Sequence, residues 1–259
     1  MKLKLYQVDA FTSDVFKGNP AAVVPLDNWL EDSLMQNIAA ENNLAETAFF
    51  VNEKDGYRIR WFTPTSEVDL CGHATLASSF VIFNILNYSE NKIEFNSRSG
   101  KLIVTKENDL INLNFPSRNP QLIELNEILI NALGETPNEV YFDKSTICVF
   151  ENEATVRNLN PKIKDFLKLK THGVIITSKG NNVDFVSRFF APDVGIDEDP
   201  VTGYAHTLLI PLWAKKLNKN NLHALQVSKR GGELFCEFLN DRVKISGKAV
   251  LYLEGKITI

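Results

Sequence analysis

Residues 203–217 read GYAHTLLIPLWAKKL, and residues 73–87 read HATLASSFVIFNILN. Each run is long enough for a helix, and neither keeps a continuous polar face. A helix that is apolar all round belongs inside a fold rather than on its surface. Both runs open on small residues: Gly72-His73-Ala74-Thr75 in one, Gly203-Tyr204-Ala205-His206-Thr207 in the other. Pro211 falls within the later run, where its missing N–H and its ring favour a kink. Two buried helices need strands around them, and that requirement decides the fold class.

Outward from these runs, the chain repeats its punctuation in the same order. Arg60-Trp61-Phe62-Thr63-Pro64 ends one strand pattern, and Arg188-Phe189-Phe190-Ala191-Pro192 ends another. Acidic linkers follow, with Glu67 and Asp69 in the first half and Asp197, Glu198 and Asp199 in the second. After each apolar helix comes a turn into a strand pair, Ser97-Arg98-Ser99-Gly100-Lys101-Leu102 and Ser228-Lys229-Arg230-Gly231-Gly232-Glu233-Leu234. The spacing from Gly72 to Gly100 matches that from Gly203 to Gly232 within one position. Glycine and proline turns are common, but four landmarks in order argue against coincidence.

The remaining pattern is mostly strand. Leu3 to Val8, Ala21 to Val24 after the Gly18-Asn19-Pro20 turn, Thr47 to Val51 and Tyr57 to Phe62 carry alternating or continuous apolar residues. Residues 31–42 have helical spacing at Leu34, Ile38 and Ala39. Strands are expected near 92–96, 101–106, 110–115, 146–151, 173–178 and 183–189, with 153–168 mostly helical and 222–257 rich in strand. Phe115-Pro116-Ser117-Arg118-Asn119-Pro120 marks the domain boundary. The expected architecture is α+β, with two pseudo-symmetric halves. Each is a barrel-like, mostly antiparallel sheet around a central helix: 1–116, on which the C-terminal tail has room to pack, and 117–259.

The 259 residues are 44% hydrophobic and 23% charged, an ordinary globular composition. Lys+Arg number 28 against 32 Asp+Glu, for a net charge of −4, so the basic footprint of a nucleic-acid binder is missing. Cys71, Cys148 and Cys236 are few and scattered, which predicts no disulfide framework and a reducing, cytoplasmic compartment. The first ten residues alternate like a strand rather than a signal peptide. No stretch approaches the ~18 uninterrupted apolar residues of a membrane span. His206 and His223 lack the ligand spacing of a zinc site.

A helix start presents unpaired N–H groups and a partial positive charge. Two such starts facing one cleft would bind an anion without lysine or arginine, and a carboxylate is the expected guest.

The matching stretches identify a resemblance. Asp9-Ala10-Phe11-Thr12, Gly18-Asn19-Pro20-Ala21-Ala22-Val23-Val24, Asn43-Leu44-Ala45-Glu46-Thr47-Ala48-Phe49, Arg60-Trp61-Phe62-Thr63-Pro64, Glu67-Val68-Asp69-Leu70-Cys71-Gly72-His73-Ala74-Thr75, Ser187-Arg188 with Phe190-Ala191-Pro192, and Glu198-Asp199-Pro200-Val201-Thr202-Gly203 span nearly the whole chain. The sequence resembles the PhzF-like phenazine-biosynthesis isomerase family of the diaminopimelate-epimerase fold superfamily. That resemblance implies an active site between two halves, no metal, no cofactor and a homodimer; charge and hydropathy already argue against a nucleic-acid or membrane partner. It places the general base on Glu46, and further catalytic groups on His73 and Asp199. The family often has serine where this chain has Tyr204.

The residues can be weighed beside the resemblance. Glu46 sits among Ala45, Thr47, Ala48 and Phe49; a desolvated carboxylate is a better base, whereas a strand-edge glutamate in solvent is the plain alternative. His73 at a helix start is expected to be a neutral proton shuttle, or simply a cap. Asp199 before Pro200 fits an N-cap followed by proline at the first helical position. Cys71 is expected to be a small buried residue. Gly72, Gly203, Tyr204, Asn19 and Arg188 are candidate substrate contacts, with a structural role for Arg188 and Asn19 equally open. The expected chemistry is proton removal by Glu46 from a small carboxylate, with return at the same carbon or a conjugated one. The rivals are a non-catalytic binder of a small carboxylate, motivated by the Tyr204 ring, and a structural protein without a polar cleft.

Overall fold

The computed structural model describes all 259 residues. In chain order the elements begin with β1 (Lys2–Ala10), β2 (Asn19–Leu26), α1 (Asp32–Asn42), β3 (Glu46–Glu53), β4 (Gly56–Phe62), β5 (Glu67–Val68) and α2 (Gly72–Phe80). Then come β6 (Lys92–Ser97), β7 (Gly100–Glu107), β8 (Leu110–Pro116), β9 (Gln121–Ile123), α3 (Glu127–Leu133), β10 (Glu139–Asp143), β11 (Ser145–Val149) and α4 (Glu153–Asn158). The last are β12 (Val174–Lys179), β13 (Phe185–Ala191), β14 (Ile196–Asp199), α5 (Gly203–Leu217), β15 (Asn221–Gln226), β16 (Gly232–Leu239), β17 (Arg242–Gly247) and β18 (Ala249–Thr258). The chain is α+β and mostly antiparallel. It divides into two compact units, Met1–Phe115 with Ile245–Ile259, and Pro116–Lys244.

The C-terminal segment Ile245–Ile259, for which room was expected on the first half, groups with the first unit. β18 pairs antiparallel with β1 from Lys2↔Thr258 to Ala10↔Ala249, with a bulge between Gln7 and Val8. β1 pairs with β2 on its other side, so β18 satisfies an edge of N–H and C=O groups that β1 would otherwise leave open.

In the first unit β1–β2 is antiparallel, β2–β3 parallel, β3–β4 antiparallel, β4–β6 parallel and β6–β7 antiparallel. The parallel steps need crossovers, supplied by α1 and α2. Helix α1 buries Met35, Ile38 and Ala39 against Leu5, Ala22, Val24, Phe49 and Phe62. Helix α2 packs on β1, β2, β3 and β18, and His73 through Ser79 are all buried. Its three buried hydroxyls would be costly without partners. Each donates one turn back: Thr75 to the Cys71 carbonyl, Ser78 to Ala74 and Ser79 to Thr75. The apolar run of 73–87 is not one α-helix, because α2 widens into a π-helical turn at Val81–Ile85.

The second unit repeats the pairing scheme: β10–β11 antiparallel, β11–β12 parallel, β12–β13 antiparallel, β13–β15 parallel and β15–β16 antiparallel. Helix α5 covers residues 203–217, as its apolar composition predicts, and packs on β15 and β16. The helix expected over 153–168 is broken. Helix α4 ends at Asn158, and Ile163–Lys168 forms a separate 3-10 turn. Pro161 between them cannot continue a helix and disfavours helical backbone in the residue before it. Helix α3 was not legible in the pattern. No helix is long and apolar enough to cross a membrane.

Candidate active site

Strand pairing in the first unit brings three chain-distant residues to one place. The parallel register of β2 and β3 sets Ala21 opposite Glu46, two positions from Asn19 at the head of β2. Gly18 makes the approach possible: its backbone is left-handed (φ +63°), and a Cβ there would lie 2.2 Å from the Ala10 carbonyl oxygen. His73 enters on the first turn of α2, which packs on both strands.

These side chains are buried, Asn19 at 0% exposed, His73 at 5% and Glu46 at 9%. His73 Nε2 lies 3.1 Å from Glu46 Oε2. On the other side of the ring, Asn19 Nδ2 is 3.2 Å from His73 Nδ1 and Cys71 Sγ is 3.5 Å away. A proton on Nε2 faces Glu46, and in the charged ring Nδ1 carries one as well. The Glu46 and His73 atoms are close, yet neither makes an aligned hydrogen bond. The contact is therefore an ion-pair approach with bonding capacity left on both groups.

Burial is the largest influence on His73 and lowers its pKa. The Cys71 sulfur and the Glu46 carboxylate together outweigh it, and the ring holds its proton well above its usual range. Burial in turn raises the Cys71 thiol, with the Glu46 charge acting in the same direction. A thiol kept neutral carries little charge, so Glu46 is the partner that holds the His73 proton. The helix start alone favours a neutral imidazole; a carboxylate at 3.1 Å overrides it.

Glu46, Cys71 and His73 also place metal-type donor atoms within 4.8 Å of one another. The imidazole stands between the other two, with Nδ1 toward the sulfur and Nε2 toward the carboxylate. Its two nitrogen lone pairs diverge, so one ion cannot meet all three donors in this arrangement. The geometry suits proton transfer between Glu46 and His73.

In the second unit Asp199 ends β14 and is 7% exposed. It does not cap α5 with Pro200 at the first helical position. The helix begins at Gly203 with Thr202 before it, and Thr202 turns its hydroxyl to Asp199 Oδ2 at 2.5 Å. Gln226 fixes the corner, donating to the Asp199 carbonyl and to Thr202 Oγ1 while accepting from the Thr202 amide. Thr202 stood only as part of a matching stretch and Gln226 carried no sequence signal, because their roles depend on β15 returning beside the turn.

Neither α2 nor α5 has a side-chain cap, whereas Asn126 and Asn152 cap α3 and α4. The first N–H groups of the two buried helices, at Gly72-His73 and Gly203-Tyr204, thus have no intrahelical partner and no side-chain cap. Tyr204 turns its ring toward His172, Phe189 and Arg118, and its hydroxyl accepts from Ser145 at 3.2 Å.

Arg188 is held in an internal clamp. Its Nε and Nη2 grip Glu198 at 2.7 and 3.0 Å, and Nη1 donates to the Val156 and Leu159 carbonyls at the end of α4. Arg60 grips Glu67 in the same two-point manner, at 2.7 Å for both bonds. The repeated Arg motif and acidic linker therefore encode a clamp between neighbouring strands.

The model of the phenazine biosynthesis-like protein family (PhzC-PhzF) matches residues 8–255. The chain is 50% identical to an "Uncharacterized isomerase" of Pseudomonas aeruginosa, covering all of both chains. A phenazine biosynthesis protein of the PhzF family from Enterococcus faecalis superposes with a TM-score of 0.99 at 48% identity, again covering 100% of both chains. A hydroxyproline epimerase of Agrobacterium vitis matches at a TM-score of 0.60 over 99% of this chain and 92% of its own. At 9% identity it shows the shared epimerase-like fold alone. Pattern, fold and relatives agree: the chain belongs to the phenazine biosynthesis-like (PhzF-like) family of isomerase enzymes.

Proposed function

We propose that this enzyme moves a proton on a small carboxylate without a cofactor, with Glu46 as the base. The observation that carries the reading is the buried Glu46–His73 contact at 3.1 Å, in which neither atom makes an aligned hydrogen bond. A buried carboxylate with unused hydrogen-bonding capacity, beside an imidazolium that can hand on a proton, is equipped for proton transfer. A substrate carboxylate can rest on an uncapped helix start, at Gly72-His73 or at Gly203-Tyr204, whose N–H groups stabilise the charge that develops as a C–H bond breaks.

The proton count closes on these residues. Glu46 takes the proton and the substrate becomes a carbanion. A second acid protonates the opposite face of the same carbon, and solvent exchange then resets both groups; or His73 gives its own proton to a conjugated carbon, and transfer from Glu46 across the 3.1 Å contact restores the pair. Asp199, fixed by Thr202 and Gln226, is the proposed second proton carrier. Protonation of the opposite face of the same carbon is epimerisation; protonation elsewhere is a double-bond shift. The isomerase names of the relatives favour this reading over a non-catalytic binder.

The test is deuterium uptake from D2O across a panel of small carboxylates with an acidic C–H, read by mass spectrometry. Wild type should label at least one. Glu46→Gln should slow that labelling by roughly 10²–10⁴, the usual worth of a general base. Equal labelling by the variant would remove Glu46 from the role.

A further inference from the structure

The second unit contains a cavity of about 510 Å³ whose walls include Arg118, Lys144, Lys170, His172, Asp193 and Tyr204. Three full positive charges face one carboxylate there, in a chain whose net charge is −4. Lys144 and Lys170 have no ion-pair partner, and Arg118 pairs with Asp143 through one nitrogen at 3.0 Å. Cations that outnumber the acids beside them raise the local concentration of an anion.

The walls are tied to α5. The Arg118 amide donates to the Thr207 carbonyl, and its guanidinium lies 5.7 Å from the centre of the Tyr204 ring. The Lys144 carbonyl accepts from the His172 amide, joining the β10–β11 turn to the segment before β12. His172 packs edge-on to Tyr204 at 5.2 Å. Burial lowers the pKa of His172, and Lys144 and Arg118 add to the lowering against the pull of Asp193. The imidazole is therefore neutral near pH 7, and the field at this ring is positive on balance.

The repeat gives the cavity a counterpart in the first unit. Tyr204 follows Gly203 as His73 follows Gly72. In the first unit the second helical residue meets a buried acid; in the second it meets a cationic cavity. We propose that this cavity receives a second acidic group of the substrate, so that the substrate is a small dianion rather than a monocarboxylate. The inference rests on the reading above that one carboxylate sits on the amides at Gly203-Tyr204. The cavity begins at the neighbouring side chain, and its volume lies in the range of small-molecule sites.

The probes are succinate, glutarate and benzene-1,3-dicarboxylate, each against its own monomethyl ester, titrated calorimetrically into the full chain. At least one diacid should bind about 10-fold or more tighter than its ester, the worth of about 1.4 kcal/mol. In the double variant Lys144→Gln, Lys170→Gln that ratio should fall to about 2 or less, with ester affinity unchanged. Both lysines are exposed, so the variant keeps its fold. Glu46→Gln should keep the full ratio, which separates this result from the fate of the catalytic reading. If no diacid outbinds its ester, or the ratio survives loss of both lysines, the proposal is overturned. Inorganic phosphate displacing the diacid as well as the matched diacids do would reduce the site to a simple anion trap, and also overturn it.

Discussion

Acid should loosen the second unit through one histidine. His206 is fully buried on α5, with Nδ1 bonded to the Thr202 carbonyl at 2.8 Å and its ring beside Phe185. Its Nε2 has no hydrogen-bond partner. Protonation would place a charged, unsatisfied N–H in the core. Burial accordingly lowers the pKa to about 4, against a smaller raising effect from the Thr202 carbonyl. The unfolded chain titrates near 6.5, so between these values it binds more protons than the native state, and stability falls as pH falls. At about 1.4 kcal/mol per unit the full window is worth about 3 kcal/mol, and the stretch from about pH 6.5 to 5 about 2 kcal/mol. Urea unfolding followed by circular dichroism, in wild type and His206→Asn, isolates the effect. The asparagine amide can keep the Thr202 bond and does not titrate. The variant starts less stable at neutral pH, and its curve should be flatter by about 2 kcal/mol over that stretch. Parallel curves would falsify the argument, because they would mean that water or rearrangement satisfies Nε2 at little cost.

Two further outcomes follow from the ion pairs. His73 has a raised folded pKa, so its stabilisation is complete below about pH 6.5 and fades as pH rises through the folded value. His73→Asn should therefore lower the melting temperature more at about pH 6 than at about pH 9, and a constant difference would show that Glu46 does not hold the proton. Arg188→Ala should destabilise by about 3 kcal/mol, since it leaves Glu198 and two helix-end carbonyls without their donor. Affinity for the carboxylate probes, measured well below the variant's melting temperature, should stay within about 2-fold of wild type. A selective loss of affinity would return Arg188 to the substrate site.

Much of the fold was legible because it is written locally. The two apolar runs had to be interior helices, and α5 matches residues 203–217. The Gly-Asn-Pro turn, the alternating strands and the repeated punctuation reappear as the same order of pairings in each unit. Glu46 and His73 stood out for their apolar company and helix-start position. Helix α3, seven residues long, offered too little periodicity to be seen.

The sequence by itself determined which segments are buried, where each helix starts, and which residue types are available for acid–base work. Tertiary structure alone decided who meets whom. It joined Glu46 to His73, gave Arg188 to Glu198, handed the Thr202 hydroxyl to Asp199 and returned β18 to β1. Burial and helix formation follow from side chains a few positions apart. A hydrogen bond or an ion pair requires fixed geometry within about 3 Å, and for residues far apart in the chain that distance exists only once the strands between them have paired.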